Sequence, residues 1–137
     1  PRALDGVTVH ETLDAMLPEV EILICLLPLT EETRGILDAR LFARLPRGAR
    51  LVNVARGGHL VETDLLAALD SGQLAAAVLD VAEPEPPPPG HPFWTHPRIW
   101  LTPHIASQTQ PESAVEAVFA NLDRHARGEP LHGLVER

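Results

Sequence analysis

Lysine is missing altogether: the eleven basic residues of this 137-residue chain are all arginine. That excludes a Schiff-base lysine and the lysine of a phosphate-binding P-loop. Cysteine occurs once, which excludes an internal disulfide framework and a cysteine-based zinc cluster. No apolar run reaches the roughly 18–20 residues of a membrane span. The opening Pro1-Arg2-Ala3-Leu4-Asp5-Gly6 is not a signal peptide. Basic charge is in deficit, with nineteen acidic residues and a net charge of -8. Nucleic acid and anionic membrane surfaces are therefore not the expected partners. These absences predict a cytoplasmic protein. Pro1 stands where an initiator Met would, and the reading expects a piece of something longer.

What is present is a regular alternation. Short apolar runs lie at 21–27, 51–55, 74–79 and 99–101. Such runs suit strands buried on both faces of a parallel sheet. Helical patterns separate them. One short helix is expected from Glu11 to Leu17. Asp38 caps a second, with Leu41, Phe42 and Leu45 on one side and Pro46 and Gly48 at its end. A third carries Leu65, Leu66 and Leu69 and stops at Gly72. Thr109-Gln110-Pro111-Glu112 resembles a capping box. It opens the longest helix, striped by Ala114, Val115, Val118, Phe119 and Leu122 and ended by Gly128. The proline-rich stretch Glu83–Gly90 is neither helix nor central strand, and reads as a stiff surface loop. Strand and helix in alternation predict an open α/β sheet of Rossmann-like type flanked by helices.

In such sheets ligands sit beyond the carboxyl ends of the strands. The residues there are Pro28-Leu29-Thr30, Arg56-Gly57-Gly58, Asp80 with Glu85, and Thr102-Pro103-His104. Taken singly, each has an ordinary structural reading: a solvated Arg, a capping Asp, a solubilising Glu, a structural His. Taken together they place four chemical groups at one sheet edge. Histidine exchanges protons near neutral pH. A carboxylate beside it favours the imidazolium and fixes one tautomer. An Arg fork binds a carboxylate in two-pronged fashion. This set suits reduction of a 2-oxo acid, with the hydride supplied by a cofactor.

The segments Leu51–Gly58 (LVNVARGG), Val78–Pro86 (VLDVAEPEP) and Leu101–Ser107 (LTPHIAS) resemble the C-terminal signatures of D-isomer-specific 2-hydroxyacid dehydrogenases. Pro92-Phe93-Trp94 with His96-Pro97-Arg98 resembles that family's segment before its last coenzyme-domain strand, and the similarity as a whole, including the tail Gly128-Glu129-Pro130, is greatest to its glyoxylate/hydroxypyruvate reductase branch. The resemblance runs from about Glu21 to the end. It implies that Arg56 binds substrate carboxylate and carbonyl, that His104 donates the proton, and that Glu85 pairs with His104. Glu83 is the alternative partner should the loop align differently. It further implies that Asp80 lies near the nicotinamide carboxamide, and that Leu27, Pro28, Ala55 and Ala106 line the cofactor together with Arg56 and His104. For the apolar positions, plain packing is an equal alternative. Ala82 departs from the aromatic residue common there.

The family's enzymes have two domains and about twice this length. Their dinucleotide site needs a Gly-rich turn after its first strand. None of the nine glycines forms Gly-x-Gly-x-x-Gly. The chain is therefore expected to be the second half of a coenzyme domain with its C-terminal helix. The substrate domain and the residue that selects NAD or NADP are missing; the branch implies NADP. Alone, the chain is expected to be inactive and to associate, as a homodimer. The alternative is a non-catalytic nucleotide-binding or dimerisation module of the same fold. His91 and His96 read as solvent-facing side chains, not metal ligands, and Cys25 as a small core residue.

Overall fold

Four short apolar runs become four parallel strands: β1 (Ile22–Cys25), β2 (Ala49–Asn53), β3 (Leu74–Leu79) and β4 (Ile99–Leu101), hydrogen-bonded in the order β1-β2-β3-β4. The computed structural model describes residues 5–107 and 111–134. The chain divides into two compact units, Pro1–Ala106 and Ser107–Arg137. The whole sheet belongs to the first.

The strands carry the expected apolar residues with shifted bounds. β1 ends at Cys25, and Leu26 and Leu27 lie beyond it in the exposed connection. β2 begins earlier than expected and ends at Asn53. Register aligns Leu23, Leu51, Ala77 and Ile99 across the sheet, and all four are buried. The neighbouring row of Ile24, Val52, Val78 and Trp100 points to the opposite face, where Ile24 and Trp100 are more than half exposed. The expectation of burial on both faces is thus corrected. Topology supplies the reason. Crossovers between parallel strands are right-handed, and strands laid down in sequential order bring successive crossovers to the same face.

The capping signals at Asp38 and Gly72 are borne out, but the helix that Asp38 opens ends at Phe42, short of Leu45, Pro46 and Gly48. Helix α1 (Leu13–Met16) is shorter than expected; Thr12 caps it, and Leu17–Glu19 continues as a 3₁₀ turn. Helix α2 (Ala39–Phe42) starts at Asp38, whose carboxylate accepts from the Leu41 amide at 2.9 Å. Two donors and the Arg40 charge outweigh the effect of burial and hold the Asp38 carboxyl below the usual range. Helix α3 (Glu62–Asp70) buries Leu65, Ala68 and Leu69 and gives way at Gly72, which takes φ +72°. Leu41, Phe42, Leu45, Leu65 and Leu69 join Leu51, Leu74 and Leu79 in one core. Each such fully buried Leu contributes roughly 1.5–3 kcal/mol. Cys25 is part of that core, where burial pushes its thiol up.

In the second unit, helix α4 (Pro111–Ala126) forms as expected. Thr109 and Gln110 of the anticipated capping box lie outside the described residues. The apolar stripe is present, but Val115, Val118, Phe119 and Leu122 are all exposed. The tail folds back on the helix through Asn121, which exchanges two hydrogen bonds with the backbone of His132. Among the described residues no helix is long and apolar enough to cross a membrane.

Candidate active site

β2 ends at Asn53, a fully buried amide. Its Oδ1 accepts from the Ala55 amide and its Nδ2 donates to the Arg56 carbonyl, both at 3.1 Å. The chain turns sharply here and presents Arg56 to solvent at the sheet edge. One guanidinium nitrogen of Arg56 donates to the Ala55 carbonyl at 2.6 Å. Ala55 itself is buried, so its contribution to a ligand is limited to backbone. The 3₁₀ turn Gly57–His59 follows and lies directly against Ala82 of the next loop.

That next loop leaves β3 through Asp80 and carries Glu83 and Glu85. Glu85 Oε1 stands 2.8 Å from His104 Nδ1. Glu83 turns instead to Arg34 at 3.3 Å. Of the two carboxylates that the sequence left open, Glu85 is therefore the one in contact with the imidazole. Both members of the pair are partly exposed, His104 at 46% and Glu85 at 37%.

His104 has φ +54°, the left-handed backbone region that side chains other than glycine seldom enter. Asp80 holds it there. One Asp80 oxygen accepts from the Thr102 hydroxyl at 2.5 Å and from the Ile105 amide at 2.9 Å; the other accepts from the Ala106 amide at 2.9 Å. The carboxylate is 2% exposed. Burial pushes its pKa up, but these donors and the nearby His104 outweigh it and hold the carboxyl below its usual range. The structure thus directs both Asp80 oxygens to the His104 turn.

Folding lowers the Asp80 pKa, so Asp80 adds stability above the ordinary value of 3.8. That share is lost as pH falls through the depressed folded value. Asp80→Asn sets a donor against backbone N–H groups, and is expected to cost roughly 1–3 kcal/mol at pH 7. Urea unfolding of both proteins at pH 7 and pH 3 checks this: the gap should narrow at pH 3, and an unchanged gap would refute it.

Leu27 and Pro28 follow β1 and are exposed, as is Ala106 after β4. Beside the His104–Glu85 pair lies a cleft of about 460 Å³ lined by Asp80, Ala82, Pro87, Trp94, Leu101 and Thr102. Trp94 is pinned there by its indole N–H, which donates to the Pro88 carbonyl at 3.1 Å. His91 and His96 are not solvent-facing, contrary to expectation. His91 Nε2 meets Glu62 at 3.0 Å and His96 Nε2 meets Asp70 at 3.5 Å, and both side chains are largely covered. These long-range partners are invisible in local sequence. No group of three or more His, Cys, Asp or Glu among the described residues could hold a metal ion.

Sequence reasoning missed two residues: Asn53 and His59. With Asp80 they are the buried polar residues of the described core, and all three fasten the turns that carry Arg56 or His104. The signal available was their polarity, Asn53 within an apolar run and His59 within an otherwise apolar stretch.

Comparison with known proteins fits this arrangement. The sequence model for the NAD-binding domain of D-isomer-specific 2-hydroxyacid dehydrogenases matches residues 2–106. Glyoxylate/hydroxypyruvate reductase A of Serratia proteamaculans is 51% identical, and that of Yersinia enterocolitica 49%; each comparison covers 99% of this chain and 44% of the relative. The crystal structure of a D-isomer-specific 2-hydroxyacid dehydrogenase from Xanthobacter autotrophicus Py2, in complex with NADPH and MES, superposes with a TM-score of 0.90 at 45% identity. It covers 99% of this chain and 57% of that one. An NADPH-dependent glyoxylate/hydroxypyruvate reductase from Sinorhizobium meliloti, in complex with NADP and sulfate, gives 0.87 at 40% identity, covering 99% and 45%. The chain spans less than half the length of the curated relatives it matches. With its parallel sheet and the motifs at its strand ends, the chain belongs to the D-isomer-specific 2-hydroxyacid dehydrogenase family, and its first unit matches that family's NAD-binding domain.

Proposed function

We propose that this chain is the second half of the coenzyme domain, with its C-terminal helix, of an NADPH-dependent reductase acting on glyoxylate, hydroxypyruvate or a similar small 2-oxo acid. The observation that carries the reading is the 2.8 Å pairing of His104 with Glu85 at the carboxyl edge of a parallel sheet. When bound, the nicotinamide supplies the hydride to the carbonyl carbon. Leu27, Pro28, Ala55, Arg56, Asp80, His104 and Ala106 are the residues that would border it. Arg56 binds the substrate carboxylate and polarises the adjacent carbonyl. His104, its Nδ1–H held by Glu85, delivers a proton from Nε2 to the carbonyl oxygen. The product is the 2-hydroxy acid, and His104 regains its proton from solvent. Glu85 stabilises the imidazolium and fixes the direction of Nε2.

The pyrophosphate cradle has no counterpart in these residues, since no Gly-x-Gly-x-x-Gly occurs. The reading therefore includes a longer protein and an inactive chain when these 137 residues stand alone; it also takes that protein to be cytoplasmic and a homodimer. Following NADPH oxidation with glyoxylate and with hydroxypyruvate tests it. Turnover by the longer protein and none by this chain is the expected result. NADPH binding by the longer protein without turnover on any 2-oxo acid would replace the reading with a non-catalytic binding module.

A further inference from the structure

We infer that His59 is a positioning residue for Arg56: its ring ties the Arg56 turn to the end of the β1 connection and so fixes where the guanidinium stands. The inference rests on the reading of Arg56 as the carboxylate ligand. His59 is fully buried. Its Nδ1 lies 3.0 Å from the Arg56 carbonyl oxygen, and its Nε2 lies 3.3 Å from the Pro28 carbonyl oxygen. Both neighbours are acceptors: a ring with one N–H donates to one of them, and only a ring protonated at both nitrogens donates to both.

The location gives this tie its importance. The ladder between β1 and β2 ends with the pair Cys25 and Asn53. Beyond it the two chains run on into the connections that hold Pro28 and Arg56, and the imidazole spans between them. The neighbouring polar groups reinforce each end. The Pro28 carbonyl also receives the Thr33 hydroxyl at 2.8 Å, and the Arg56 carbonyl also receives Asn53 Nδ2. A closed pocket of this kind is most simply filled by a Leu or Phe. A polar ring is costly to bury unless it finds hydrogen-bond partners, and here one ring nitrogen faces the backbone of Arg56 and the other that of Pro28.

The test compares His59→Leu, which removes both ring nitrogens, with His59→Asn, whose amide can restore a donor toward the Arg56 carbonyl. In the longer reductase, His59→Leu should raise KM for glyoxylate by about tenfold or more, since small displacements of a positioning group are costly. Its kcat should fall as well, since Arg56 also polarises the carbonyl, while its KM for NADPH should stay within about twofold; His59→Asn should recover most of both losses. Amide hydrogen exchange on this chain gives an independent readout. The Ala55 and Leu60 amides should lose protection in His59→Leu, while those of Leu51, Leu65 and Leu79 keep it. Equal behaviour of the Asn and Leu variants, or loss of protection throughout the core, would overturn the tether. Arg56→Ala separates the two ideas. A raised glyoxylate KM there with none in His59→Leu refutes the tether alone. No rise in Arg56→Ala refutes the reading of Arg56 on which it rests.

Discussion

Replacing His104 by Ala in the proposed longer reductase should lower kcat by about 10²–10⁴-fold, the range for removing a positioned general acid. That corresponds to about 3–5 kcal/mol of transition-state stabilisation. NADPH affinity should change far less, because in the proposed mechanism the imidazole acts on the carbonyl oxygen of the substrate and only borders the nicotinamide. The geometry makes the expectation specific. Glu85 occupies Nδ1 at 2.8 Å, which in the proposed mechanism leaves Nε2 to deliver the proton. Removal of Glu85 by Glu85→Gln should therefore act in the same direction but leave more activity, since the acid itself survives. Steady-state kinetics with glyoxylate, alongside NADPH titration by fluorescence, checks both. Equal loss of turnover and cofactor affinity in His104→Ala would mark His104 as structural and remove the proposed acid.

Gly57→Ala should be the most damaging small substitution in the first unit, costing about 3 kcal/mol or more. A Cβ built on Gly57 falls within the carbonyl group of Ala82, and 2.6 Å from the Glu83 amide nitrogen. These are backbone atoms of a proline-rich loop, with little freedom to retreat. Either the Arg56 turn or the Glu85 loop must move, so function suffers along with stability. Gly58→Ala is the control. A Cβ there meets the side-chain ends of Glu83 at 2.6 Å and Arg34 at 2.8 Å, and both can swing away. Thermal unfolding of the two variants should separate them clearly; similar melting temperatures would refute the argument.

The contrast between these adjacent glycines also marks where sequence reading reaches its limit. Arg56, Glu85 and His104 could be singled out because each follows an apolar run, and strand ends are where an α/β sheet gathers ligands. The crossover helices were readable from Asp38, Gly72 and the spacing of Leu65 and Leu69, all local signals. What could not be read was contact between remote segments. Nothing near Gly57 announces Ala82. Nothing near Glu83 points to Arg34, nor near His59 to Pro28, nor near Asp80 to the amides of Ile105 and Ala106. The bare sheet face was missed for a related reason. Apolar runs report that both faces of a strand are hydrophobic, but not which element covers each one. That depends on crossover handedness and strand order together.

The order β1-β2-β3-β4 has a consequence for how the sheet comes into being. Among the described residues each strand after the first is hydrogen-bonded to the one made immediately before it, so each of these pairings waits for a single connection to close. Parallel sheets fold slowly when their partners are far apart in sequence, because closing long loops carries an entropy cost. Here the three pairings join residues 22 to 28 positions apart, as from Ile22 to Arg50 and from Ala77 to Ile99. The sheet can assemble strand by strand as the chain leaves the ribosome, and the His104 turn, which hangs from the last strand, is set in place only after the turn carrying Arg56.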